Sequence, residues 1–139
     1  MCSWWKAVWL PLVLVLVPPA LFMILVAGPR PTLAQTTAFS LPLWYGACAA
    51  HAGWRVVTRG AGGTRGALVA GIVIANANVV VLSALVGLWI LMPWGSTREV
   101  GVIKFVEVLP YFTAFMTAVG MLGGWAGARV AARRAHART

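Results

Sequence analysis

The chain has 139 residues, of which 61% are hydrophobic and only 9% are charged. A soluble domain carries about 25% charged residues, so this composition excludes an ordinary soluble fold and indicates a protein solvated by lipid. The net charge of +9 comes from eleven basic and two acidic residues, and it does not indicate nucleic-acid binding, because the basic residues lie between and after apolar stretches.

The first predicted span covers residues 8–26. About 20 apolar residues are needed to cross a hydrocarbon core of about 30 Å, and this stretch is long enough. It is also longer than the roughly 7–15 apolar residues of a cleaved signal peptide, so we expect it to be retained as a helix. Pro18 and Pro19 near its middle each remove a backbone N–H, which predicts a kink at that point.

The second predicted span covers residues 34–57 and contains Pro42, which should bend it. Its second half is rich in alanine and glycine, and such small side chains let helix backbones approach closely in lipid. This span is the most polar of the set, so a three-helix arrangement in which it fails to cross is the main alternative.

The third predicted span, residues 67–92, carries no charge and is the most clearly apolar. The fourth covers residues 105–128 and is followed by a basic tail, residues 129–139. The sequence therefore predicts an all-α fold: a single transmembrane domain over residues 1–139, with four transmembrane helices in an up-down bundle.

The distribution of Lys and Arg predicts the orientation of the bundle. With the N-terminus inside the cell, eight basic residues fall in cytoplasmic segments and three in outer segments. Positive residues in short loops favour the cytoplasmic side, so we predict that both termini are inside, in a multi-pass protein of a prokaryotic cytoplasmic (inner) membrane. A chain with three spans would leave the arginines of the tail outside, against the same rule.

Glycines in the fourth span form two overlapping GxxxG patterns. They are Gly120, Gly123, Gly124 and Gly127. Glycines at this spacing make a flat groove on a helix, against which a neighbouring helix packs. The pattern predicts helix packing, either inside this bundle or against a second copy or another subunit.

Asn76, Asn78 and Glu107 are the candidates for interhelical contacts or for a polar pathway. The two asparagines are two positions apart, so their side chains point about 200° away from each other on a helix and cannot face the same neighbour. Glu107 lies near the outer end of the fourth span, where an acidic residue is a functional hypothesis by default. An ion pair with Lys104, one turn earlier, is the alternative interpretation.

His51 is the residue placed to ligate haem, a pigment or a metal within a span. With Ala47 four positions earlier, it resembles the Ala-x-x-x-His pigment-binding pattern of bacterial light-harvesting helices, and the rest of the chain departs from those single-span polypeptides. A haem held between two helices needs two axial ligands, and the other histidine, His136, is in the tail. We therefore expect no cofactor, with haem or pigment at His51 as the alternative.

Basic side chains near the predicted cytoplasmic ends of the spans are candidates for contact with anionic head groups. They are Arg55, Arg59, Arg65, Arg129, Arg133 and Arg134. The expected partners are the lipid bilayer, its anionic head groups, and other membrane protein subunits or a second copy of this chain, without nucleic acid.

The sequence holds no nucleophile–base constellation, no paired carboxylates within a span and no metal-ligand cluster, so it does not predict an enzyme. Packing features outnumber chemical ones, which favours a small accessory or structural subunit of a larger membrane complex. Two alternatives stay open. One is a protomer of a small homo-oligomeric transporter or channel that uses Asn76, Asn78 and Glu107. The other is a haem- or pigment-binding membrane subunit that uses His51.

Overall fold

The computed structural model describes residues 2–26, 31–91 and 98–137, with side chains over 3–17, 41–81, 83–84 and 106–137. The described residues form four α-helices and no strand, which confirms the prediction of an all-helical fold with four helices. The helices are α1 (Cys2–Val26), α2 (Pro31–Thr58), α3 (Thr64–Leu91) and α4 (Arg98–His136).

Each helix is longer than the span predicted for it. The largest difference is in α4, which begins at Arg98 instead of Phe105 and continues through the basic tail as far as His136. Helical hydrogen bonds form within the segment itself, so a helix can extend beyond its apolar part into a polar environment. The backbone of α1 is helical through Pro18 and Pro19, and the kink at these residues stays a prediction.

The helices alternate in direction along the chain. In α1 and α2, Lys6 near the start of one helix lies against Arg55 near the end of the other, and Leu14 lies against Trp44. Both α1 and α4 contact α2 and α3, and no contact joins α1 to α4 among the described residues. The helices α1 and α4 therefore lie on opposite sides of the α2–α3 pair, in an up-down bundle in which α2 and α4 run parallel.

A short turn holds the end of α2 beside the start of α3. Gly60 has a φ of 63°, in the left-handed region that glycine enters without steric penalty. The Ala61 amide donates to Val56 O at 3.0 Å, and the Gly60 amide donates to Val57 O at 3.1 Å. This is the Schellman arrangement, which ends a helix at glycine and reverses the chain within a few residues.

The first GxxxG pattern of α4, Gly120 and Gly124, faces α3. A Cβ on Gly120 would overlap the backbone of Gly71, and a Cβ on Gly124 would overlap the backbone of Ala67. The antiparallel backbones of α3 and α4 are therefore in direct contact, which a side chain at either glycine would prevent.

The second pattern, Gly123 and Gly127, faces α2. A Cβ on Gly123 would lie 2.7 Å from Gly46 O and 2.7 Å from the Ala49 side chain, and a Cβ on Gly127 would overlap Ala50 O. Thus α4 lies in the groove between α2 and α3, with one GxxxG pattern toward each neighbour, and the Gly124 backbone also contacts Gly53 of α2. Such close contact adds dispersion attraction between helices, and it matters most where lipid removes the hydrophobic driving force.

Gly120→Ala should lower the free energy of unfolding by about 1–3 kcal/mol, because the new methyl group collides with the backbone of α3. Gly46→Ala is the matched control, since its Cβ would meet only Val119 Cγ1, at 3.7 Å. The control should leave stability unchanged or raise it slightly through helix propensity. Thermal unfolding of both variants in one detergent, followed by circular dichroism, measures the difference. Equal effects would contradict the backbone contact.

A side chain of α2 donates a hydrogen bond to a backbone carbonyl of α1. In an α-helix Leu14 O would accept from the N–H of residue 18, but Pro18 has no N–H. Trp44 Nε1 donates to Leu14 O at 3.1 Å. The indole therefore supplies the donor that the proline removes. This contact also explains why Trp44 lies away from the helix ends, where membrane tryptophans usually concentrate.

Trp44→Phe should destabilise the bundle by about 1–3 kcal/mol, because Leu14 O loses its donor. Trp9→Phe, at a half-exposed position of α1, is the control for loss of indole area. Pro18→Ala restores the backbone N–H and should make Trp44→Phe nearly neutral. Thermal unfolding of the single and double variants closes a double-mutant cycle. Additive effects would show that Pro18 and Trp44 are not coupled.

Two stretches of the described helices are long and apolar enough to cross a membrane: Thr64–Val81 in α3 and Val106–His136 in α4. Ser3–Val17 in α1 is apolar but shorter. The fold is thus a helical bundle in which two helices have the length and composition of membrane spans.

Candidate functional site

Asn76 joins α3 to α4. Its Nδ2 donates to Thr117 Oγ1 of α4 at 3.1 Å and to Ile72 O of its own helix at 3.0 Å. The Thr117 hydroxyl lies 2.8 Å from Thr113 O, to which it donates. The hydrogen bond between the Asn76 amide and the Thr117 hydroxyl therefore links α3 to α4 and has a structural role.

Asn78 faces a different neighbour. It is completely buried and lies beside Tyr45 of α2, which is 1% exposed. The Asn78 amide lies close enough to Tyr45 to interact with its hydroxyl, but no hydrogen bond of ordinary geometry joins the two groups, and neither has another partner within the described structure. Buried polar groups without partners raise the free energy of the folded state. This polar pair therefore lowers the stability of a core that is formed mainly by apolar side chains such as Val15 and Ile74.

The same substitution at the two asparagines should have opposite effects. Asn78→Leu removes an unpaired buried amide and should raise the free energy of unfolding by about 1 kcal/mol. Asn76→Leu removes the hydrogen bond to Thr117 and should lower it by about 0.6 kcal/mol. Thermal unfolding in detergent measures both. A destabilised Asn78→Leu variant would mean that the Asn78 amide has a partner in the folded protein.

Glu107 does not lie with the asparagines. It is exposed in the first half of α4, about 15 Å along the helix from Thr117 at a rise of 1.5 Å per residue. The Lys104 side chain lies outside the described residues, so the ion pair between them stays a prediction. The structure thus places Asn76, Asn78 and Glu107 in three separate environments.

His51 is exposed on α2, and its ring lies 5.8 Å from the Trp54 ring at an interplanar angle of 37°. Gly127 of α4 is at the same level of the bundle as His51. The other histidine, His136, follows Gly127 by nine residues, or about 14 Å along a helix. Two histidines so far apart do not share one haem iron. In the part of the chain that the structure describes, no group of three His, Cys, Asp or Glu side chains could hold a metal ion.

An open cleft runs along the outside of the α2–α4 contact, at the end of the bundle where both helices finish. It consists of two adjoining cavities that share Trp54 and Arg134. The inner cavity, about 390 Å³, has His51 and Val130 on its walls. The outer cavity, about 430 Å³, has Thr58 on its wall. The cleft combines an apolar lining with one guanidinium group.

Three arginines at this end of the bundle make contacts within the chain. Arg55 Nη2 and Arg59 Nη1 donate to Lys6 O at 3.3 and 2.9 Å, which ties the end of α2 to the start of α1. The Arg129 guanidinium lies over the Trp125 ring, with 4.9 Å between Cζ and the ring centroid. These three arginines therefore have structural contacts, Arg55 is buried with 9% of its surface exposed, and their contacts with lipid head groups stay predictions. The other three, Arg65, Arg133 and Arg134, are exposed.

The partners of the polar residues were not predicted from the sequence. Thr117 carried a usable signal, because Thr113 and Thr117 recur at i,i+4 on one face of an apolar helix. Counting back four residues from Pro18 identifies Leu14 O as the carbonyl without a donor, and Trp44 is a side chain that can donate to it. The cleft beside Trp54 had no signal in the sequence, since it arises between two helices that are not consecutive.

No family model matches this sequence, and searches of curated proteins and of solved structures return no match. Function is therefore inferred from the geometry of the bundle and from the distribution of its charges.

Proposed function

We propose that this chain is a four-span protein of a prokaryotic cytoplasmic membrane and serves as a small accessory or structural subunit, not as an enzyme. Large apolar side chains cover the outside of the bundle: Leu43, Tyr111, Val80 and Leu122 are between 67% and 79% exposed. Of the two stretches long enough to cross a membrane, the one in α3 is only 39% buried inside the bundle and the one in α4 only 17%. A core helix of a soluble protein would be mostly buried, so lipid is the environment that suits this surface.

The charge distribution supports an orientation with both termini in the cytoplasm. Seven Lys and Arg side chains lie at the end formed by the start of α1, the α2–α3 turn and the end of α4, whereas Arg98 and Lys104 belong to the first turns of α4 at the other end. This basic end comprises Lys6, Arg55, Arg59, Arg65, Arg129, Arg133 and Arg134. Glu107 lies toward the opposite end. Because positive residues favour the cytoplasmic side, the basic end faces the cytoplasm.

The observation that carries the proposed role is the closely packed interior. Small residues bring the backbone of α4 into contact with α2 and α3, and this contact leaves no room for a substrate between those helices. The residues that a transport pathway would use are apart, with Asn76 against α4, Asn78 in the core and Glu107 on the surface. A bundle whose interior serves its own packing interacts with lipid and with other membrane proteins through its outer surface.

Reporter fusions test the membrane arrangement. A green fluorescent protein after Thr139 should fluoresce, and alkaline phosphatase at the same point should be inactive. Alkaline phosphatase after Ser96, in the predicted outer loop, should be active, and carbonate washing should leave the chain in the membrane. Active phosphatase after Thr139, or extraction by carbonate, would overturn the four-span arrangement.

Purification from native membranes in mild detergent tests the accessory role. The tagged chain should elute with a membrane protein partner in fixed stoichiometry, and a tag on that partner should recover this chain. A chain that runs alone as a monomer or homo-oligomer contradicts the role. A liposome flux that falls after Glu107→Gln would favour the transporter alternative instead.

A further inference from the structure

We propose that the cleft between α2 and α4 at the basic end binds an anionic phospholipid, with Arg134 contacting the phosphate and an acyl chain lying along Ala126, Gly127 and Val130. This inference rests on the proposed membrane insertion, and it adds a defined lipid site to the general attraction between basic residues and an anionic leaflet.

Small residues on α4 create the cleft. Gly127 packs against the backbone of α2 at Ala50, and Ala126 lines the inner cavity beside it. Farther along α4, Ala131 and Ala135 line the outer cavity. No side chain longer than a methyl group projects from these positions, so the outer side of the α2–α4 contact stays open along both cavities.

Arg134 is the cation that borders both cavities. Arg55 and Arg59 are turned toward Lys6 on the other side of α2, and Arg129 lies over Trp125. The cleft thus presents one guanidinium group, at the level where α2 ends.

Among the side chains that the structure describes, no carboxylate lies near Arg134, so in this proposal its counter-ion is an anion from the surroundings. The sequence has two acidic side chains, Glu99 and Glu107, and both belong to the first turns of α4, at the end opposite the cleft. A guanidinium group pairs well with phosphate, through parallel N–H···O bonds. The charge of the basic end therefore selects an anion, and the geometry of arginine suits a phosphate.

The apolar walls select a lipid over a soluble phosphate. The inner cavity continues from Arg134 past Val130 and Ala126 toward the middle of the bundle, with the paired rings of His51 and Trp54 on the α2 side. A free phosphate would contact only the arginine. A phospholipid places its head group at the interface and its acyl chain against these apolar side chains, which matches both parts of the cleft.

Native mass spectrometry of the purified full chain in detergent tests the site, with phosphatidylglycerol and phosphatidylcholine of identical acyl chains as probes. Wild-type protein should bind phosphatidylglycerol more tightly. Arg134→Ala should weaken its binding about fivefold, as expected for loss of one cation at an anionic interface. Ala126→Phe keeps the charge but fills the inner cavity, and it should also weaken binding. Circular dichroism checks that both variants are folded.

Arg133→Ala is the matched control, because Arg133 is exposed one position away and borders neither cavity. It should change binding less than twofold. Equal losses for Arg133→Ala and Arg134→Ala would mean diffuse electrostatic attraction and would overturn the site. Displacement of the lipid by inorganic phosphate or glycerol phosphate at matched concentration would assign the cleft to a soluble phosphate and overturn the lipid proposal.

The carbonate wash and the fusions after Thr139 separate this inference from the proposed function. Extraction of the chain by carbonate would overturn both the proposed membrane insertion and the lipid site that rests on it. A chain that stays in the membrane with its C-terminus inside, but shows no preference for phosphatidylglycerol, removes the lipid site alone.

Discussion

The structure depends on the absence of side chains along one face of α4. Its glycines let the backbone touch α2 and α3 at once. The two GxxxG patterns are offset by three residues, from Gly120 to Gly123, which turns them about 60° apart around the helix. That angle lets one pattern meet α3 and the other meet α2. Where lipid surrounds the helices, such contact replaces the hydrophobic force that would join them in water.

Close packing makes the position of every polar group important, because backbone groups inside a bilayer need partners within the protein. Pro18 removes a donor from α1, and Trp44 of the neighbouring helix replaces it. Asn76 finds its partner on α4. Asn78, Tyr45 and Trp54 are exceptions, since each has a buried polar side-chain atom without a hydrogen bond within the described structure.

Most charged residues lie near the two ends of the bundle. Seven described basic side chains lie at one end of the bundle, and Arg98, Lys104 and the two carboxylates belong to the first turns of α4 near the other end. Several arginines use neutral partners instead: Arg55 and Arg59 donate to a backbone carbonyl, and Arg129 lies over an indole ring. In the orientation proposed above, the basic end would meet the cytoplasmic leaflet, whose anionic lipids attract basic residues.

The sequence by itself determined the four helices and the end at which positive charge collects, because apolar runs and chain breakers are local properties. It also marked the glycines of α4 for packing and separated the directions of Asn76 and Asn78, since both follow from helix periodicity. Only the tertiary structure decided which neighbour each residue meets, that Trp44 replaces a lost donor, and that a cleft opens beside Arg134. Periodicity sets the face of a helix on which a residue lies, but the partner on that face depends on how all four helices pack together.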